Sequence, residues 1–246
     1  MKLSLHGKVA LVTGGAQRIG RAICEALVAQ GCGVVVHYRT SAREAGEVAL
    51  AARLAGVAGH RVQANLDREA GCRELIKEAR RLAGRLDILV NNAAVFSKDP
   101  LERVTERGLQ GEFQTNLFAP VLLTKYFADA TRRGQVVNIL DRRIAGHDAT
   151  CIPYLLSKKA LAAFTEEAAL ALAPRFTVNA VAPGPILPPP GKGRAYLKDH
   201  AGRVPLRVRF APADVGDAVV LLLRSRKTTG QILYVDGGQH LLGAGV

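Results

Sequence analysis

Short apolar runs alternate with segments of helical periodicity along nearly the whole chain. Runs rich in Val, Ile and Leu predict seven strands: Lys8 to Thr13, Gly33 to Tyr38, His60 to Ala64, Leu86 to Asn91, Gln135 to Leu140, Phe176 to Val181 and Gln231 to Val235. Between them, helical patterns predict helices over Arg18 to Gln30, Ala42 to Leu54, Arg68 to Ala83, Pro153 to Leu172 and Pro212 to Leu223, with a long helical region from about Leu101 to Ala130. Strands that are continuously apolar, rather than alternating, belong to a parallel sheet covered on both faces. The chain therefore predicts an α/β fold, a doubly wound, Rossmann-type sheet of seven parallel strands in one domain over residues 1–246. One stretch breaks the pattern. Pro183, Pro185, Pro188, Pro189 and Pro190 open a segment reaching Arg209 that turns basic and has no clear period. Long irregular segments in compact domains often cover substrate, so a lid is expected at about residues 185–209.

Composition narrows the class. With 246 residues, 48% of them hydrophobic, the chain can bury a full core. Its most apolar helical stretch, Leu161 to Ala173, is interrupted by Glu166 and Glu167, and the apolar N-terminal stretch is cut by His6 and Lys8 without a cleavage-type segment. A soluble cytoplasmic protein without a membrane partner is expected. Cys24, Cys32, Cys72 and Cys151 lack paired metal-ligand spacing, so neither disulfides nor a metal site is expected. The formal charge of +13 comes from 34 Lys and Arg against 21 Asp and Glu. It is spread along the chain with few aromatics between the cations, which favours a solvated surface plus a site for a polyanionic small molecule over a nucleic-acid groove.

Two local patterns carry chemistry. The first strand runs into Thr13-Gly14-Gly15-Ala16-Gln17-Arg18-Ile19-Gly20 and a helix follows at once. Such a turn lets bare backbone amides and a helix N-terminus approach a pyrophosphate, which places Gly14, Arg18, Ile19 and Gly20 against a dinucleotide. At the end of the second strand, a carboxylate would hold the ribose 2′-hydroxyl of NAD; here Tyr38 stands there, followed by Arg39, Thr40 and Ser41. A cation and two hydroxyls suit a 2′-phosphate, so NADP(H) is the expected cofactor. In the second pattern, Tyr154 and Lys158 lie one helical turn apart, 13 residues beyond Asp141. That spacing puts phenol and ammonium on one face, where the cation is expected to hold the phenol near ionisation and make it a usable acid.

The glycine turn, Asn91-Asn92-Ala93 after the fourth strand, Asn116 in the long helix, Tyr154 with Lys158, Pro183-Gly184 after the sixth strand and the Val235-Asp236-Gly237-Gly238 ending occur in a fixed order. In that order the chain resembles a short-chain dehydrogenase/reductase over essentially its whole length. The resemblance implies that Tyr154 is the proton donor, that Lys158 lowers its pKa and holds the nicotinamide ribose, and that Asn116 anchors a relay water near Lys158. It puts Asn65, Leu66, Asn92 and Ala93 on the adenosine side and Pro183, Gly184 and Ile186 against the nicotinamide. It also implies a homotetramer built on the Tyr-bearing helix and the C-terminal segment.

The departures from the family pattern narrow the branch. Asp141 stands where the family usually has a serine, and Arg18 where the turn usually has its middle glycine. With Phe96 four residues after Asn92, these resemble the pteridine reductase branch, as do His37 to Ser41 and Pro183 to Leu187. In that branch the arginine reaches cofactor phosphate and pterin, the phenylalanine stacks on the pterin, and the aspartate supports the tyrosine. Ala94 replaces a serine that contacts the pterin in some relatives, and Asn65 replaces the usual adenine-side aspartate. The chemistry agrees with the branch: reduction of a ring C=N needs hydride on carbon and a proton on nitrogen, with no carbonyl oxygen calling for a serine. A flat heteroaromatic also gains from stacking on Phe96.

The expected activity is NADPH-dependent reduction of a pterin or dihydropterin, with folate in scope. Two alternatives remain. One is a reductase of 3-oxoacyl thioesters or other carbonyls, whose basic surface would dock an acidic carrier; against it, the Asp141 carboxylate would face a developing alkoxide. The other is an NADPH-binding redox sensor or scaffold without turnover, against which Asn116, Tyr154 and Lys158 all count. At the level of single residues, Asp141 could instead cap the following loop and Phe96 could be core.

Overall fold

The computed structural model of the chain describes residues 4–188, 195–196 and 202–242. Seven strands, β1 (Val9–Val12), β2 (Gly33–Tyr38), β3 (Gly59–Gln63), β4 (Ile88–Asn91), β5 (Gly134–Ile139), β6 (Phe176–Pro183) and β7 (Ile232–Val235), form one sheet in the order β3-β2-β1-β4-β5-β6-β7. Every pairing is parallel. The connecting helices are α1 (Arg18–Ala29), α2 (Ala42–Leu54), α3 (Glu69–Ala83), α4 (Glu106–Phe113), α5 (Ala119–Ala130), α6 (Ile152–Leu172) and α7 (Pro212–Leu223).

The continuous apolar strands have the cause expected of them. In β1, Ala10 and Val12 enter the core beneath α1, α2 and α7, while Val9 and Leu11 enter the opposite core with α3, α5 and α6. Side chains alternate across a strand, so a strand covered on both faces must be apolar at every position. The strand order reverses between β1 and β4, and in such sheets a crevice opens at that switch point, outside the C-terminal strand ends. The glycine turn lies at that point.

The long helical region from Leu101 to Ala130 is not one helix. It comprises a 3-10 turn at Leu101–Arg103, α4, a π-helical turn at Gln114–Phe118, and α5. Pro120 lies in the first turn of α5 and cannot donate to the preceding carbonyls, and the widened turn accommodates that loss. It also carries Asn116, which is fully buried. Strand and helix ends otherwise shift by one or two residues from expectation.

The expected lid falls partly on residues 189–194 and 197–201, which lie outside the described residues. Among the described residues there is no cluster of three or more potential metal ligands, no helix is long and apolar enough to cross a membrane, and all four cysteines are free and buried.

Candidate active site

The phosphate end is held together from three strands. Thr13 Oγ1 accepts the amides of Asn92 and Ala93 at 2.9 and 3.0 Å, and Asn92 Nδ2 donates to the carbonyls of Thr13 and Gly14 at 2.8 and 3.2 Å. His37, which is buried, ties the turn to its neighbours: its Nδ1 accepts the Gly14 amide at 3.1 Å and its Nε2 lies 3.3 Å from the Ala64 carbonyl. Those partners require the neutral ring with the proton on Nε2. Burial agrees, pushing the imidazolium pKa down to about 4 against the pull of the Ala64 carbonyl. Gly20 has no room for a side chain, since a Cβ there would lie 2.1 Å from the Gly14 carbonyl oxygen.

A cleft of about 380 Å³ opens beside this turn, with Gly14, Ile19, Gly20, Tyr38, Thr40, Ser41, Leu66, Asn92 and Ala93 among its walls. The α1 N-terminus has no side-chain cap, so its first amides remain for an anionic group. The donor set therefore fits a dinucleotide. Two of the expected contact residues already have partners within the protein. Asn65 does not line the cleft; its Oδ1 accepts the Asp67 amide at 3.1 Å and shapes the turn, while Leu66 and Asp67 face the opening. Arg39 does line it, but as one half of an ion pair with Asp67 at 3.2 Å. The acid missing from the end of β2 is thus supplied just beyond β3.

Arg18 has φ +53°, in the left-handed region that suits the glycine it replaces. Its side chain lines the cleft and donates to the Pro188 carbonyl at 2.8 Å, linking the turn to the start of the irregular segment. An ordinary L-residue costs about 1–2 kcal/mol there, a cost that marks the side chain as useful.

The chemical end gathers on β5, α6 and the π turn. Tyr154 donates its phenol proton to Asp141 Oδ2 at 3.0 Å, and both residues are largely buried. Lys158, buried at 2% exposure, donates to the Ile139 carbonyl at 2.7 Å. Asn116 Oδ1 accepts the Val95 amide at 2.9 Å, and its Nδ2 donates to the Val95 carbonyl, Glu112 Oε2 and Ser157 Oγ. Phe96 is 43% exposed, packs edge-on to Tyr154 at 4.8 Å between centroids and has the Arg143 guanidinium 5.3 Å from its ring centre, so it is not core. Pro183, Gly184 and Ile186 lie at the end of β6, where Gly184 donates to the Val235 carbonyl. None of the three lines the cleft, and Ile186 is buried in the core with α1 and α7.

The immediate contacts differ from those the spacing suggested. The Lys158 ammonium donates to the Ile139 carbonyl and lies 6.0 Å from the centre of the Tyr154 ring, while the Tyr154 hydroxyl faces a carboxylate. Burial and the Asp141 charge push the phenol well above its usual range. Burial also draws Lys158 down to about 8, although Asp141 and Glu112 oppose this. For Asp141 itself, burial raises the pKa, but the adjacent Arg143 guanidinium outweighs it and the carboxyl stays below its ordinary value.

The residues that sequence reasoning missed complete the site. Arg143 Nε and Nη2 each donate to Asp141 at 3.0 Å, and Nη1 donates to Asp148 at 3.0 Å. Asp141 also caps the 3-10 turn Arg142–Ala145 by accepting the Arg143 amide at 2.9 Å, so capping and support of Tyr154 coexist in one carboxylate. Glu112, 3% exposed, accepts from Ser97 and Asn116, and burial holds its pKa up. The Asp-Arg-Arg run after β5 was a visible signal for Arg143; Glu112 had none, because its neighbours meet only in the fold.

Comparison with known proteins gives the same picture. The short-chain dehydrogenase profile described as enoyl-(acyl carrier protein) reductase matches residues 14–240. Glucose and ribitol dehydrogenase homolog 2 of Arabidopsis thaliana is 32% identical over 95% of this chain and 86% of its own. Granaticin polyketide synthase putative ketoacyl reductase 2 of Streptomyces violaceoruber is 35% identical over 95% and 96%. Among solved structures, FolM alternative dihydrofolate reductase 1 from Brucella canis, complexed with NADP, superposes with a TM-score of 0.89 at 36% identity, covering 97% of this chain and 96% of that one.

Proposed function

The chain belongs to the short-chain dehydrogenase/reductase family, and within it we propose an NADPH-dependent reductase of a pterin or dihydropterin ring, folate included. The observation that carries this reading is the Asp141–Tyr154 hydrogen bond beside the partly exposed ring of Phe96. The Brucella protein named as an alternative dihydrofolate reductase supports it.

NADPH supplies the hydride when bound. The chain's own residues then have three tasks. Phe96 offers a face on which a flat heteroaromatic can stack. Tyr154 remains neutral because burial and Asp141 hold its proton, so it arrives at the reaction as an acid and gives that proton to a ring nitrogen made basic by reduction. Lys158 on the Ile139 carbonyl, and Asn116 with Glu112 behind it, are the buried polar groups that would connect through water to return a proton to the phenol. At the other end, Arg18, Arg39, Thr40, Ser41 and the α1 amides would hold the cofactor phosphates.

A carbonyl reductase is the second reading, favoured by the ketoacyl reductase relative and by the Asp141–Arg143 pairing. An ion-paired carboxylate repels a developing alkoxide less than a bare one. A homotetramer built on α6 is consistent with Leu156 and Leu170, which are 47% and 79% exposed on that helix. The deciding experiment is a steady-state assay of NADPH oxidation with biopterin, dihydrobiopterin, folate and a short 3-oxoacyl thioester side by side. Turnover of a pterin or folate substrate above the thioester is expected; turnover of the thioester alone would replace the pterin reading by the carbonyl one, and turnover of none would remove the pterin assignment and leave the broader reductase reading.

A further inference from the structure

We propose that Arg143 is a positioning residue that keeps Asp141 an ionised anchor for the Tyr154 phenol, so that the phenol proton is spent on substrate and not on Asp141. The inference deepens the reading of the site given above and rests on it for the identity of the substrate.

The argument begins with oxygen bookkeeping at Asp141. Oδ1 accepts from the Arg143 amide and from Nε, and Oδ2 accepts from Nη2 and from the Tyr154 hydroxyl. Three of the four donors are Arg143. A carboxylate that is 15% exposed in its side chain, next to a buried phenol, would ordinarily take up a proton to escape its desolvation cost. A neutral Asp141 would then have a proton of its own to place, and its contact with Tyr154 would no longer require the phenol to be the donor. Arg143 removes that ambiguity. Its planar fork satisfies both oxygens and supplies a charge that does not titrate in the working range.

The guanidinium is itself held from other sides. Nη1 donates to Asp148 Oδ2 at 3.0 Å and to Cys151 Sγ at 3.3 Å, and the plane lies 5.3 Å from the Phe96 ring centre and 5.4 Å from that of Tyr154. Asp148 is in turn fixed by the Thr150 amide and hydroxyl. The titratable and charged groups facing Asp141 are therefore Arg143 from its own turn, the neutral Tyr154 and the ammonium of Lys158 from α6, the thiol of Cys151 just before that helix, and Arg142, which also feels Asp236 beyond β7. Of these, Arg143 makes the direct charge-assisted bonds to the carboxylate. An anchor of this kind also lowers the basicity of Asp141, which favours transfer of the phenol proton outward to substrate over transfer to the carboxylate.

The test compares Arg143→Gln, Arg143→Lys and the unmodified protein, all as NADPH complexes. First, the Asp141 carboxyl carbon is followed by NMR titration with labelled aspartate, its signal assigned by its loss in Asp141→Asn. In Arg143→Gln the titration should move upward by roughly one to three pH units, and Arg143→Lys should restore much of the change because the charge is kept. Second, the acid limb of kcat/KM should move upward by the same amount, measured with whichever substrate of the side-by-side assay is turned over. An Asp141 titration unmoved in Arg143→Gln overturns the proposal whatever the substrate. A fall in rate that is equal at every pH, with the titration in place, reduces Arg143 to a structural residue. Should Arg143→Gln fail to fold, Arg143→Met, which keeps a long stem without the charge, takes its place: the same upward shift of the Asp141 titration is expected, and an unmoved titration overturns the anchor role. Failure of the pterin assignment shows separately, as absence of pterin turnover in the unmodified protein.

Discussion

Tyr154 keeps its proton in this site because it is buried and because a carboxylate, not an ammonium, is its nearest charged partner. Removing the hydroxyl should therefore remove the acid and little else. Tyr154→Phe is expected to abolish turnover and leave NADPH binding nearly intact, as read by cofactor titration beside the rate; an active Phe variant would refute Tyr154 as the acid. Asp141 separates the two substrate readings. Asp141→Ser should lose pterin reduction by roughly tenfold to a thousandfold, while activity towards simple ketones rises, because a hydroxyl replaces the charge that faces the reacting atom. Unchanged pterin turnover in that variant would sever the link between Asp141 and the branch. Asp141, Tyr154 and Lys158 were legible in the sequence because their relation is local, fixed by a strand end and one helical turn. The direction of the phenol's pKa was not, because it depends on burial and on a guanidinium that folds back from the next turn. The local role of Asn65 was equally hidden: its short amide side chain accepts the Asp67 amide and shapes its own turn.

At the scale of elements, the glycine turn between β1 and α1 carries two devices that affinity and stability should report separately. Arg18 has a backbone conformation that glycine adopts without strain. Arg18→Gly should raise the stability of the cofactor-free protein by up to about 1 kcal/mol and weaken NADPH binding, since the side chain lines the cleft. A variant less stable than its parent, with unchanged affinity, would contradict both halves. His37 gives the turn a pH window. Its folded-state pKa, about 4, lies below its ordinary 6.5, so the unfolded chain binds the proton more readily. The stabilisation is fully present above pH 6.5 and drains away as pH falls towards 4, an effect of about 3 kcal/mol. His37→Asn, which retains an acceptor for the Gly14 amide, should flatten this difference when denaturation is compared at pH 7.5 and 4.5; a variant with the parent's pH dependence would absolve His37. The turn itself was readable from its glycines and its place between strand and helix, whereas the break in the 101–130 helical region was not. Its periodicity is helical throughout, and only the need to admit Pro120 and bury Asn116 opens the π turn.

For the whole molecule, the seven strands and their common direction follow from apolar runs that must be covered on both faces, and the switch point follows from the strand order. Net charge is less informative than its placement. Arg80, Arg85, Arg132, Arg133 and Arg175 line a separate cleft of about 820 Å³ near the N-terminal ends of β4, β5 and β6, at the opposite pole from Asp141 and Pro183. At the cofactor cleft, Arg18 and Arg39 stand against Asp67, so the field there is far weaker than +13 suggests. Selection of NADPH over NADH should then rest on short-range contact with the 2′-phosphate and not on steering by the total charge. Arg39 is 61% exposed in its side chain and already shares its charge with Asp67, so its contribution belongs at the low end for a charge-assisted bond, about 1.5 kcal/mol or roughly tenfold in the NADPH to NADH ratio of kcat/KM. Arg39→Ala should lower the ratio by about that factor, and Asp67→Asn should raise it by freeing the guanidinium. Raising salt from about 20 to 200 mM shortens the screening length to below 10 Å or so, which should slow association of both cofactors while changing their ratio much less than Arg39→Ala does. A ratio that collapses with salt but survives Arg39→Ala would assign the preference to the molecule's overall field instead.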